Sequence, residues 1–239
     1  MECRILTAGD SGLVVEFGNS IDEEINGRVS AFCQSFSESP VKGVIEIVPT
    51  FRSVMIYYDC NKVSYKTLSR KVGKLIENMR ETTSESKRIY DIPVCYEEQF
   101  APDMANVEEH TGLSKEEIIK RHAGRDYLIY MLGFLPGFAY LGGMDPMLVT
   151  PRLKVPRTKI EAGSVGIGGE QTGIYPLDSP GGWQLIGKTP IRPYDAAREK
   201  PILYSAGEYI RFRPITAEEY RDIERQVSEG TYTYRILEK

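Results

Sequence analysis

Histidine is almost missing from this chain. Its 239 residues hold two, His110 and His122, twelve positions apart, and no cysteine lies at a ligand spacing from either. Zinc sites draw on clustered His and Cys, so no metal is expected here. Cysteine is scarce as well: Cys3, Cys33, Cys60 and Cys95 form no CxxC pair. Thiols so far apart read as reduced, mostly buried side chains of a cytoplasmic protein. Basic excess is missing too. The 30 Lys and Arg face 34 Asp and Glu, for a net charge of −4. With the cations scattered rather than clustered, a general nucleic-acid binder is excluded. No apolar run nears the ~20 residues of a membrane span. The opening MECRILTAGDSG lacks the apolar core of a signal peptide. No G-x-S-x-G elbow is present, which removes one common nucleophile signature. Tryptophan occurs once, at Trp183.

What is there is concentrated. The stretch from Gly133 to Pro190 holds 12 of the 22 Gly and 7 of the 14 Pro, together with Trp183 and several other aromatics. Glycine supplies positive φ and close backbone approach, and proline fixes φ. Ordered turns interleaved with large rings build a binding surface more readily than a linker.

The first ~85 residues follow a different pattern. Gly12–Phe17 reads as a strand, and Ile21, Ile25, Val29, Phe32 and Phe36 form a helix stripe. Val44–Val48 and Val54–Tyr58 read as a hairpin. A second helix starts near Ser64, and Ile89–Val94 is another strand. The order β-α-β-β-α-β predicts an α+β, ferredoxin-like α/β sandwich. The polar run 81–88 places a boundary, giving domains 1–86 and 87–239. In the second domain, Pro102–His110 and Ser114–His122 read as short helices, with Glu117 completing a capping box on Ser114. Tyr127–Leu132 follows as a strand. Short strands at Val165–Ile167, Gly173–Tyr175, Trp183–Ile186, Ile202–Tyr204 and Tyr209–Phe212 predict a closed or nearly closed β-barrel. Thr216–Glu229 reads as a capped surface helix, and Tyr232–Leu237 as an edge strand.

Several residues suggest chemistry, each with a plainer alternative. Gly182–Thr189 (GWQLIGKT) matches the phosphate-loop pattern G-x-x-x-x-G-K-[ST]. Its interior is bulky and strand-like, and Pro190 disfavours the helix a phosphate loop must open. The expectation is a strand. The glycine-rich run 163–173 reads either as tight turns or as an anion cradle with Gln171 and Thr172 as donors. His122 ends a helix, where it would complement the dipole as a cation; the alternative is a general base or donor in a pocket. Ser164 and Ser179 sit in turns, where hydroxyls bond local backbone. Arg152, Arg157 and Lys159 form either a solvated surface or an anion clamp. Phe134, Phe138, Tyr140, Tyr175 and Trp183 either pack a core or line an apolar pocket.

GFLPGFAYLGGMDP (133–146), PR (151–152), AGSVGIGGEQTGIYP (162–176) and SPGGWQLIGKTP (179–190) resemble the signatures of one family. It holds the B subunit of 5-oxoprolinase, the first subunit of allophanate hydrolase and the Bacillus sporulation-kinase inhibitor KipI. The resemblance runs over essentially the whole chain. It implies an α+β N-terminal domain followed by a cyclophilin-like β-barrel. It implies the 5-oxoprolinase A and C subunits as partners, ATP as co-substrate of the complex, and no metal or organic cofactor on this chain. The implied reaction opens the lactam of 5-oxoproline to give L-glutamate, and the chain alone would be inactive. An unstrained lactam is a poor electrophile, and phosphorylating its oxygen creates a leaving group. A second implied role is binding a sensor histidine kinase and inhibiting its autophosphorylation. The family motifs fall on His122 and Arg152, as catalytic candidates. They also fall on Phe138, Tyr140, Gln171, Thr172, Ser179 and Trp183, as pocket residues. Lys188 stands where many relatives carry Arg.

Overall fold

Asp22 opens the first helix by accepting from the N–H groups of Glu24 and Ile25. That cap fixes helix α1 (Glu23–Glu38) and leaves Ile21 outside it and exposed, although its spacing fits the apolar stripe. Ile25, Val29, Phe32 and Phe36 carry the stripe into the core. Helix α2 (Tyr65–Asn78) is capped by Ser64 and buries Leu68 and Val72. Both helices pack with four antiparallel strands: β1 (Arg4–Ala8), β2 (Gly12–Glu16), β3 (Val44–Pro49) and β4 (Ser53–Tyr58), in the order β1-β2-β4-β3. In this computed structural model residues 3–79 and 88–238 are described. By contact the chain divides into two units, residues 1–85 and 86–239. The expected junction after residue 86 lies outside the described residues.

One strand assignment is corrected. Ile89–Val94 does not join this first sheet. It lies in strand β5 (Arg88–Cys95), inside an eight-stranded sheet of the second unit. The edge beside β2 is taken instead by β1, whose pattern is too exposed to read as a strand from sequence. Strand β5 is buried along almost its whole length, as a central strand must be.

The barrel sheet further comprises β6 (Asp126–Leu132), β7 (Ala139–Gly142), β9 (Ser164–Gly168), β10 (Gln171–Ile174), β12 (Gln184–Lys188), β13 (Tyr209–Ile215) and β14 (Ile236–Glu238). Its order is β10-β9-β12-β5-β13-β6-β7, with β14 on the edge of β5. The end strands β10 and β7 lie side by side, so the sheet is a nearly closed barrel. Strands β8 (Arg157–Ile160) and β11 (Ser179–Gly181) form a separate ribbon. Ile92, Val94, Tyr127, Ile129, Val165, Ile167, Ile186, Ile210 and Phe212 fill the interior. The expected strand at Ile202–Tyr204 makes only a single bridge, between Tyr194 and Ile202. There the Arg198 guanidinium donates to the carbonyls of Arg192, Pro193 and Pro201, holding a loop rather than a ladder.

Helices α3 (Met104–Thr111) and α4 (Lys115–Ala123) precede β6. Ser114 caps α4, but Glu117 pairs with Arg121 at 2.8 Å. Helix α5 (Ala217–Glu229) has the full capping box of Thr216 and Glu219. Among the described residues no helix is long and apolar enough to cross a membrane.

Candidate functional site

The glycine-rich run folds as the hairpin β9–β10, and its glycines make room for one ring. A Cβ on Gly168 would lie 2.3 Å from the indole of Trp183, and one on Gly173 3.3 Å from it. A Cβ on Gly166 would lie 3.3 Å from the Trp183 Cβ. The indole therefore rests on a strip of bare backbone. Phe138 meets Trp183 edge-on at 5.7 Å, and Tyr175 does so at 5.9 Å. Phe138 is also edge-on to Tyr140, at 5.2 Å. These arrangements suit the ring quadrupoles and fix the rings relative to one another.

Together Phe134, Phe138, Tyr140, Tyr175 and Trp183 line a cavity of about 140 Å³ with Arg152 and Pro180–Gly182. An apolar cavity of about 150 Å³ takes a molecule the size of benzene. The five rings named from sequence thus come together. Arg152 sits over the Trp183 ring at 5.9 Å, a cation–π contact. The Leu153 N–H donates to the Gly182 carbonyl at 2.6 Å, which ties the Arg152 loop to the cavity wall.

The other two cations of the expected basic group are already engaged. Arg157 pairs with buried Asp103 at 2.6 Å, and Asp103 also accepts the Leu185 N–H at 2.7 Å. Lys159 pairs with Asp178 at 2.8 Å. Among the described residues no carboxylate pairs with Arg152. It is the cation left for an external anion.

His122 takes neither expected role. It is 0% exposed, stacks on Phe212 with ring centroids 4.4 Å apart, and does not line the cavity. The Thr172 hydroxyl spends its single proton on the Gly166 carbonyl, at 3.0 Å. It must therefore accept from His122 Nε2–H, at 2.7 Å. That fixes Nδ1 as the acceptor from the Tyr96 hydroxyl, at 2.7 Å. Tyr127 closes the helix end by donating to the His122 carbonyl at 2.7 Å. Burial lowers the His122 pKa to about 3, so the ring is neutral at pH 7. The dipole-complementing cation expected at this helix end is absent because desolvation disfavours the charge.

The remaining sequence-named residues separate in the same way. Thr172 belongs to the His122 chain, not to an anion cradle. Gln171 opens β10 opposite Gly168 and does not line the cavity. Ser179 is buried beside the cavity wall, and its Oγ has no hydrogen-bond partner among the described residues. The phosphate-loop match is strand β12, antiparallel to β9, and Lys188 pairs with Glu161. Among the described residues no three His, Cys, Asp or Glu side chains gather as a metal site.

Phe134 carries a signal that sequence pattern does not. Its φ is +61°, the one positive value on a non-glycine among the described residues. The Leu135 N–H donates to the Gly133 carbonyl at 2.6 Å, closing a three-residue γ-type turn around it. Such a conformation costs roughly 1–3 kcal/mol.

Fold and cavity define a class: a mixed α/β protein whose nearly closed barrel carries a ring-sized aromatic pocket with an uncommitted arginine. The chain belongs to the family described as carboxyltransferase domain, subdomain C and D, which matches residues 3–204. It is 41% identical over 228 residues to the B subunit of 5-oxoprolinase from Bacillus subtilis (strain 168), covering 91% of this chain and 95% of that protein. Among solved structures it is similar to TTHA0988, with 35% identity and a TM-score of 0.77 over 86% of this chain. This chain spans 40% of that protein's length. Kluyveromyces lactis urea carboxylase shares the fold at a TM-score of 0.82 and 21% identity, over 99% of this chain and 24% of that one.

Proposed function

We propose that this chain is the B subunit of an ATP-dependent 5-oxoprolinase. With the A and C subunits it opens the lactam of 5-oxo-L-proline to L-glutamate, releasing ADP and phosphate. The observation that carries this reading is the 41% identity to a 5-oxoprolinase B subunit over nearly the full length of both chains. The cavity supports it. 5-Oxoproline is one five-membered ring with one carboxylate. The ring suits a space of about 140 Å³ between Trp183 and Phe138, and the carboxylate suits Arg152. A nucleotide needs more room, since pockets for larger ligands run to about 300–1,000 Å³. ATP therefore binds elsewhere in the complex. The same reading takes the barrel as cyclophilin-like. It takes the first unit as ferredoxin-like, with β1 in the place of the fourth strand; β4 inserted between β2 and β3 supports this.

Mixing the chain with the A and C subunits tests the assignment. ATP hydrolysis should appear only with 5-oxoproline present and only with this chain included. Full activity in a mixture without it ends the proposal.

A further inference from the structure

Phe134 combines two features that are each unfavourable in the free chain. Its backbone is held at φ +61°, where an L side chain is strained and glycine is not. Its ring is 62% exposed, with one edge-on contact to Phe138 at 5.5 Å. Glycine at this position would remove both. The turn around it is nevertheless firmly built. The Phe138 N–H donates to Leu135 at 3.0 Å, the Gly133 N–H to Phe138 at 3.1 Å, and the Tyr204 hydroxyl to Gly137 at 2.9 Å. The frame is rigid, the strained residue sits at its tip, and its ring lines the cavity with Arg152 and Trp183. Strain kept in a well-determined frame is characteristic of ligand clamps.

We infer that Phe134 is a specificity-determining clamp, whose ring closes the mouth of the Arg152–Trp183 cavity over the ring of a small cyclic monocarboxylate. This rests on the reading of the cavity as the 5-oxoproline site. The bound ring supplies the second apolar face that Phe134 lacks, and the desolvated mouth strengthens the Arg152–carboxylate pair. A linear or larger acid leaves that face open or collides with it.

Phe134→Gly and Phe134→Tyr test the clamp. Trp183 is the only tryptophan and lines the cavity, so its fluorescence reports binding of 5-oxo-L-proline to the full chain without any catalysis. Phe134→Gly should keep or raise the thermal midpoint. It should weaken 5-oxoproline binding roughly tenfold or more, the loss expected when one aromatic ring is no longer buried. In the reconstituted complex KM should rise by a similar factor while kcat moves less than about threefold. Phe134→Tyr should restore affinity. Binding and KM within about twofold of wild type in Phe134→Gly overturn the clamp. So does an unchanged KM with weakened assembly of the complex, since the ring then docks a partner chain. A wild-type chain without a fluorescence response, in a complex without 5-oxoproline-dependent ATP hydrolysis, ends the reading of the cavity and the clamp with it. A normal wild-type response with a silent Phe134→Gly ends the clamp alone.

Discussion

Thr172 and Gly173 are neighbours on β10 and serve opposite ends. Successive residues of a strand point to opposite faces. Thr172 turns inward to His122, at 2.7 Å, while Gly173 lies under the Trp183 indole. On one side stands a closed chain of donors and acceptors, Tyr96–His122–Thr172–Gly166, with its protons assigned and none to spare. On the other is an open aromatic wall beside an arginine without a carboxylate. Both regions hold residue types that a sequence reader marks as chemical. Only the second leaves a group free to meet a ligand. A titratable side chain informs about function when its bonding is unfinished, and His122 is finished.

The strongest test of that contrast is His122→Ala. It removes a buried ring and strands the Tyr96 and Thr172 hydroxyls, so unfolding free energy should fall by about 3–5 kcal/mol. Folded complex that remains should keep its KM for 5-oxoproline. Denaturant melts beside steady-state kinetics give both numbers. A stable variant with no activity would move His122 to the reacting centre and erase the distinction.

Arg152→Ala should behave in the opposite way. Its folding stability should stay within about 0.5 kcal/mol of wild type, as for surface changes that break no internal pair. Binding of 5-oxoproline should weaken by about 1.5–3 kcal/mol, the value of a hydrogen bond to a charged group. Arg152→Lys should recover only part of this, because a point charge replaces a bidentate fork. Trp183 fluorescence titration is the direct measurement, and a stability loss without an affinity loss would make Arg152 structural.

Acid titration of the fold sharpens the same contrast. Unfolded, His122 binds a proton below about 6.5; folded, it does so only near 3. The unfolded state therefore holds more protons between these values, and stability falls as pH drops through that window. The slope from this residue reaches about 1.4 kcal/mol per pH unit. It is fully relieved above about 6.5. Comparing melts of wild type and His122→Gln isolates the contribution, since carboxylates titrate in both. Identical slopes would mean that the ring reaches solvent.

Much of this arrangement was legible in the residues. The stripe from Ile25 to Phe36, the capping residues Ser64, Ser114 and Thr216, and the five rings of the cavity all follow from spacing and composition. Three features were not. Strand β1 hid because its side chains are mostly exposed, leaving no alternation to read. The partner of His122 lies fifty residues away, and no local pattern encodes that contact. The glycines of β9 and β10 looked like an anion cradle because composition shows that space is needed, not what fills it. The filler is Trp183, and a lone tryptophan close in sequence to so many glycines was the available clue.

The smallest effect should come from Lys188→Ala, and it decides whether the phosphate-loop match means anything. Each residue of that match has another reason for its identity. Gly187 is required because a Cβ there would lie 2.7 Å from Val94 of β5. Gln184 and Leu185 pair with Ile167 and Gly166 across the ladder, and the register shifts before Gly187. The backbone N–H groups that would cradle phosphate are thus engaged in a sheet, and Thr189 leads into Pro190 rather than a helix. Lys188 itself pairs with exposed Glu161, whose carboxyl it holds below the usual range. Removing such a pair costs about 0–1 kcal/mol. The 5-oxoproline-dependent ATP hydrolysis of the complex should stay within about twofold, since no transition-state contact is lost. A fall of several orders of magnitude with the fold intact would put a nucleotide on β12, and the paired strand and the open cavity would then have exchanged roles.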